Sequence, residues 1–180
     1  MQPITFITGN QKKADYLAKY LGFPVWHQKV NLDELQSLSL REIVEHKVKQ
    51  AYDIIKMPVL VEDVSLEFSA LWRLPWPFIK FFIEEMPFEN ICSLLDGKDR
   101  SAVARCMFWY YDGEILEFFE WNVLWSISNL PRWNGGFWWD RLFIPHWIDK
   151  TAAELSIEEY ERFYTEAKPF DQIRDFLAKQ

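Results

Sequence analysis

Apolar residues run almost unbroken over positions 3–8, Pro-Ile-Thr-Phe-Ile-Thr, the pattern of a strand buried on both faces. Gly9-Asn10 interrupts the run, and Ala14, Leu17, Ala18 and Leu21 then recur at helical spacing over about 11–21. The chain therefore opens as strand, glycine turn and helix. A short second strand is predicted at 25–30. Ser39, with Glu42 three residues on, reads as the N-cap of a long helix to about Ile55. Pro58 stops that helix, and Val59-Leu-Val forms a hydrophobic strand ending in Glu62-Asp63. A proline-rich loop at 71–77 leads to a helix over 78–85. The stretches 101–111 and 114–127 alternate well enough to predict a long hairpin turning at Asp112-Gly113. An irregular aromatic loop over 129–140 and a short strand ending at Ile144-Pro145 follow. Two helices close the chain, about 156–164 and 167–178, the first opened by a capping box from Ser156 to Glu159. No repeat, low-complexity tract or linker divides the sequence. The expectation is one α/β domain over 1–180 with mixed, not strictly alternating, β and α order.

Composition agrees with that picture and narrows the function. The chain has 180 residues, 49% hydrophobic and 26% charged, enough to bury a core and too apolar for a disordered chain. Its apolar runs are broken by charge or proline well short of a membrane span, and no basic leader precedes the first strand, so neither a transmembrane segment nor a signal peptide is predicted. Cys92 and Cys106 match neither a disulfide framework nor a metal-site spacing, and His27, His46 and His146 form no ligand cluster. The cytoplasm is the expected compartment. A net charge of −7 repels a nucleic-acid backbone, which favours a small substrate over a polymer.

Three groups of residues can carry chemistry. Thr8-Gly9-Asn10-Gln11-Lys12-Lys13 places backbone N–H groups and two lysines at a helix N-terminus, where phosphate is attracted, although a solvated helix start would look the same. Glu62-Asp63, together with Glu34 in the acidic segment 31–35, can supply oxygen ligands to a Mg²⁺ that bridges phosphates, and a strand-end carboxylate can also orient or deprotonate a water. Surface acids on an acidic protein are the alternative. Phe137, Trp138 and Trp139 with Asp140 can stack on a planar base and bond its edge, or can simply form a satellite core. Taken together the three describe a nucleotide site made of phosphate turn, metal carboxylates and base platform.

These residues resemble the inosine triphosphate pyrophosphatase family over nearly the whole chain. The motifs are Phe6-Ile-Thr-Gly-Asn-Gln-Lys-Lys13, Gln28-Lys-Val-Asn-Leu-Asp-Glu-Leu-Gln36, Val59-Leu-Val-Glu-Asp63, and the stretches 71–82 and 131–145. The resemblance implies an elongated mixed central sheet flanked by helices, with two lobes around a nucleotide cleft, and usually a homodimer. It implies hydrolysis of deaminated purine triphosphates such as ITP, dITP and XTP to monophosphate and pyrophosphate with Mg²⁺, keeping them out of nucleic acid. Carried over by position, residues 8–13 hold the triphosphate, with Lys13 and Lys47 as charge partners and Glu62 beside them. Glu34 and Asp63 hold the metal, Asp63 also acts on the water, and Phe137, Trp138, Trp139 and Asp140 bind the base.

The chain departs from the family at several places. Val64 stands where the family has Ser or Thr, and Tyr160 and Tyr164-Thr165-Glu166 stand where it carries Lys and then Ser-His-Arg. A glutamate cannot offer an arginine's donors to a purine carbonyl, so base selection is expected to differ, and a nucleotide-binding module that has lost turnover is the alternative function. There are 10 Trp against 6 Gly, where glycine usually makes up roughly 7% of a chain. Trp72, Trp76, Trp121, Trp125, Trp133, Trp138 and Trp147 fall where the family has glycine. Returning these to glycine restores ordinary usage, the pattern expected if UGA codons that some bacteria read as glycine were translated as tryptophan; a real, Trp-rich variant, engineered or diverged, is the alternative.

Overall fold

The computed structural model describes residues 3–22, 24–76, 78–133 and 139–180. Among the described residues, six strands and six α-helices follow one another: β1 (Ile4–Ile7), α1 (Gln11–Leu21), β2 (Val25–Gln28), α2 (Leu40–Ile55), β3 (Val59–Phe68), α3 (Ile79–Glu85), α4 (Phe88–Ser93), β4 (Ser101–Tyr111), β5 (Leu116–Ile127), β6 (Phe143–Pro145), α5 (Ile157–Glu166) and α6 (Phe170–Leu177). The strands hydrogen-bond in the order β2-β1-β3-β4-β5-β6. β1 runs parallel to both β2 and β3, whereas β5 and β6 are antiparallel, so the sheet is mixed, as the sequence predicts.

Local chemistry accounts for the helix ends. Asn10 caps α1, its side chain accepting from the Lys13 N–H, and Gly22 closes the helix at φ 59, a left-handed value glycine takes without strain. Ser39 caps α2 through the Glu42 N–H, but the Glu42 carboxylate turns away to accept from the Ser37 hydroxyl at 2.6 Å, so the expected reciprocal box is half made. Ser156 and Glu159 complete theirs.

Contacts divide the chain into two compact units, the first Met1–Val64, Cys106–Trp121 and Lys168–Gln180, the second Ser65–Arg105 and Asn122–Ala167. In the first, Ile4 and Phe6 of β1, Leu17 of α1, Val48 of α2 and Leu60 of β3 are fully buried, and Phe108 stacks on Phe6 at 6.1 Å. The periodic positions read from the sequence are the ones that pack. In the second, Leu66, Phe68, Ile91, Leu95, Leu142 and Phe143 form the core. There the Arg100 guanidinium donates to the carbonyls of Ile127, Cys92 and Ser128 at 2.8, 2.8 and 2.7 Å, tying α4 to the end of β5. No described helix is long and apolar enough to cross a membrane.

One expectation is corrected, and one element is new. β3 does not end at Glu62-Asp63 but runs on to Phe68, so the carboxylates lie within the strand. The short helix α4 (Phe88–Ser93) follows Pro87 in a stretch too brief to show a period.

Candidate active site

Strand register brings the first unit's functional residues to one edge of the sheet. Ile7, the last residue of β1, pairs with Gln28, the last of β2, and with Val61 of β3. The turn 8–10 and Lys29 therefore lie just past the carboxyl ends of β1 and β2, the edge at which α/β sheets bind ligands, and Glu62-Asp63, within β3, follow its last residue paired with β1. Within the turn, the Asn10 N–H donates to Thr8 Oγ1 at 3.1 Å. His27, outside the predicted site, braces the turn: its Nε2 donates to the Thr8 carbonyl at 2.6 Å, and its Nδ1 lies 2.9 Å from the Gln11 side-chain oxygen. Gly9 is exposed, and a Cβ there would meet only the Lys29 side chain, at 3.8 Å. Lys12 is exposed and Lys13 half-buried.

Glu62 and Asp63 are adjacent on a strand, so their side chains take opposite faces, and each finds lysine. Glu62 is 2% exposed at its side chain. Its Oε1 accepts from Lys168 Nζ and from the Cys106 thiol at 3.4 Å, while Lys13 Nζ lies 3.2 Å from Oε2. Lys168 Nζ also reaches Cys106 Sγ at 3.2 Å. Burial by itself would raise the Glu62 pKa, but the charges of Lys13 and Lys168, with the hydrogen bond from Lys168, outweigh it and bring it down to about 2. Burial pushes the Cys106 thiol up to about 12, which makes it a neutral packing partner and not a nucleophile. Two ammonium groups around one carboxylate leave this cluster net positive in a chain of net charge −7.

On the other face, Asp63 Oδ2 accepts from Lys47 Nζ at 2.6 Å and Oδ1 from the Val64 N–H at 2.8 Å. The Lys47 and Asp63 side chains are 19% and 22% exposed, so a ligand can reach them. One turn along α2, Gln50 exchanges two hydrogen bonds with Asp33: Asp33 N–H to Gln50 Oε1 at 2.8 Å, and Gln50 Nε2 to Asp33 Oδ2 at 2.9 Å. This moors the acidic segment to the helix face that holds Asp63. Glu34 follows Asp33 and is exposed. Among the described residues, no group of three or more His, Cys, Asp or Glu side chains is placed to hold a metal.

Phe137 and Trp138 lie outside the described residues. Trp139 is half-buried, its ring edge-on to Phe143 at 6.3 Å. Asp140 is 5% exposed, and Tyr160 of α5 donates to its Oδ2 at 3.2 Å. Tyr164 stacks on Tyr160 at 6.4 Å, while Glu166 pairs with Arg162 at 2.9 Å along the exposed face of the same helix. The residue at the family's lysine position thus faces Asp140 with a phenol.

Lys168, Cys106, His27, Lys29 and Gln50 were not singled out by sequence. Lys168 meets Glu62 across 106 residues, so no local spacing points to it. The alternation of β4 could have turned Cys106 inward with Phe108, but not to a charge.

Comparison with known proteins gives the family. A model of the Ham1 family matches residues 4–176. Inosine triphosphate pyrophosphatase 1 of Trypanosoma cruzi is 41% identical over 170 residues, covering 92% of this chain and 87% of that protein. The dITP/XTP pyrophosphatase of Saccharolobus solfataricus is 34% identical over 178 residues, covering 97% and 93%. The structure of a HAM1 protein from Coxiella burnetii superposes with a TM-score of 0.85 at 19% identity, over 100% of both chains. The fold is that of the HAM1 structures. The chain belongs to the Ham1 family of inosine triphosphate pyrophosphatase-like proteins.

Proposed function

We propose that this protein hydrolyses deaminated purine nucleoside triphosphates, ITP, dITP and XTP, to the monophosphate and pyrophosphate in a Mg²⁺-dependent reaction. The observation that carries the reading is the set of lysines on the adjacent carboxylates of β3, Lys13 and Lys168 on Glu62 and Lys47 on Asp63, with Lys13 in the first turn of α1. A triphosphate needs several cations held where water is partly excluded, and a helix N-terminus adds N–H donors. The turn 8–13 receives the phosphates, with Lys12 and Lys13 as the charges within it. Asp63 accepts a proton from the water that attacks the α-phosphorus, the α–β bridging P–O bond breaks, and the lysines hold the pyrophosphate leaving group. Glu62 acts through Lys13, since its own carboxylate is buried.

Glu34 and Asp63 are the residues that would hold Mg²⁺. Both are hard oxygen donors, and Mg²⁺ takes one or two carboxylates when substrate phosphates complete its shell. When bound it neutralises developing phosphate charge. Phe137, Trp138, Trp139 and Asp140 would receive the base. The resemblance further supports a homodimer working in the cytoplasm, which light scattering and fractionation would check.

The test is pyrophosphate release from ITP, XTP and ATP with Mg²⁺, expected to be faster with ITP or XTP than with ATP. Tyr160 facing Asp140, with Glu166 turned to Arg162, favours a second reading in which the nucleotide binds without turnover. Protection against melting by ITP with no pyrophosphate release would establish that reading instead.

A further inference from the structure

We infer that Lys168 is a positioning residue of the polyphosphate site: by holding Glu62 it leaves the Lys13 ammonium available to the phosphates. This rests on the proposed phosphate-binding role of the turn 8–13.

The two lysines meet Glu62 unequally. Lys168 makes the hydrogen bond, to Oε1, and its side chain is 9% exposed. Lys13 lies 3.2 Å from Oε2 and is 26% exposed, and Oε2 accepts no hydrogen bond in good geometry. Lys168 is therefore the internal counter-ion and Lys13 the one at the water-facing side. A buried carboxylate must keep a cation, because leaving it uncompensated is strongly unfavourable. With Lys168 in place, Lys13 can swing from Glu62 to an incoming phosphate and Glu62 keeps its partner. Without it, Lys13 is the sole cation described against Glu62, and an anion would have to compete for it. Cys106 completes the seat, its sulfur 3.2 Å from Lys168 Nζ and 3.4 Å from the same Glu62 Oε1. Lys168 begins the return of the chain into the first unit, two residues before α6, so the packing of Phe170 against Phe108, ring centroids 6.1 Å apart, sets where its ammonium stands.

The test is the affinity for inorganic tripolyphosphate, measured by calorimetry, which does not depend on turnover. Lys168→Met is expected to weaken binding about tenfold or more, and Lys168→Arg to stay within about threefold of the parent. The double variant Lys168→Met with Glu62→Gln removes the anion that captures Lys13, and is expected to recover to within about threefold, a rescue that a merely structural role would not give. In nucleotide hydrolysis the single variant should raise KM far more than it lowers kcat. Should Lys168→Met fail to fold, the double variant, which buries no unpaired charge there, still decides. Unchanged affinity in folded Lys168→Met, no recovery in the double variant, or no tripolyphosphate binding by the parent overturns the inference. A parent that binds tripolyphosphate but releases pyrophosphate from no nucleotide overturns the proposed reaction and leaves the role of Lys168 standing.

Discussion

Asp63 is held by two donors, the Lys47 ammonium at 2.6 Å and the Val64 N–H at 2.8 Å, and this fixes a carboxylate at the sheet edge with one side open. Because the pair with Lys47 is partly exposed, it contributes at most about 1 kcal/mol to stability. Asp63→Asn should therefore abolish pyrophosphate release while moving the urea midpoint little, and undiminished turnover would remove Asp63 from the mechanism. Glu62 is the opposite case, a carboxylate that matters to the fold. Its pKa is lowered to about 2 in the folded chain, so its stabilising contribution is fully present above the ordinary carboxylate range and is lost as pH falls toward that value. The stability gap between the parent and Glu62→Gln should be wide at neutral pH and close by about pH 2. A gap constant with pH would show that the ion pairs carry none of it. Tryptophan follows a third logic. Trp72 has φ 57 and ψ −101 and is 88% exposed, and Trp133 has φ 66 and is 69% exposed; both backbones suit glycine. Relief of about 1–2 kcal/mol of strain exceeds the about 0.5–1 kcal/mol that added chain freedom costs. Trp72→Gly and Trp133→Gly are expected to raise stability, and a lowered melting temperature in both would contradict the glycine reading, as would UGG codons at the seven positions. The excess of tryptophan was visible in the composition. Which positions need left-handed backbone was not: Trp76 and Trp125 are instead buried, and Trp138 lies outside the described residues.

At the scale of elements, α2 does more than cover the sheet. Lys47 and Gln50 lie three residues apart on one helix face, the first holding Asp63 and the second Asp33. The cap at Ser39 and the stop at Pro58 made α2 legible, and Ile43, Val44, Val48 and Ala51 are its buried positions, but such signals mark where a helix runs and not what each polar residue grips. Gln50→Ala should loosen the segment that carries Glu34 and so raise the Mg²⁺ concentration giving half-maximal turnover, with little change in melting temperature. An unchanged Mg²⁺ requirement would take Glu34 out of the metal site. β3 shows the converse limit. Two adjacent acids read as a strand end because charge is costly inside a sheet, yet three lysines from distant segments neutralise them and the strand continues to Phe68. Strand ends marked by turn residues, such as Gly9-Asn10 and Asp112-Gly113, were read correctly; the end marked by charge was not, since its compensation is tertiary.

Residues with proposed roles lie in both compact units. The first holds the phosphate turn, Glu62, Asp63 and every lysine assigned to the triphosphate; the second holds Trp139, Asp140 and Tyr160. The first kind of site was the more legible because glycine turns, lysines and paired carboxylates carry their chemistry in the residue type, whereas base recognition depends on which groups face one another across a fold. Tyr160 was visible only as a departure from a lysine, and its bond to Asp140 required the structure. If the division holds, changes in the first unit should scale turnover of all nucleotides together, and changes in the second should alter their ranking. Lys13→Met is expected to lower kcat/KM for ITP, XTP and ATP by similar factors. Tyr160→Phe removes the hydroxyl that donates to Asp140 and so removes one competitor for the acceptor that Asp140 offers a purine ring N–H, which ITP and XTP present at N1 and ATP does not. The ratio of kcat/KM for ITP over ATP should therefore rise several-fold in Tyr160→Phe, within the about 1–3 kcal/mol that one buried hydrogen-bonding group commands. A ratio equal to the parent's would mean that Asp140 does not read the base, and that the second unit's aromatic loop selects by stacking alone.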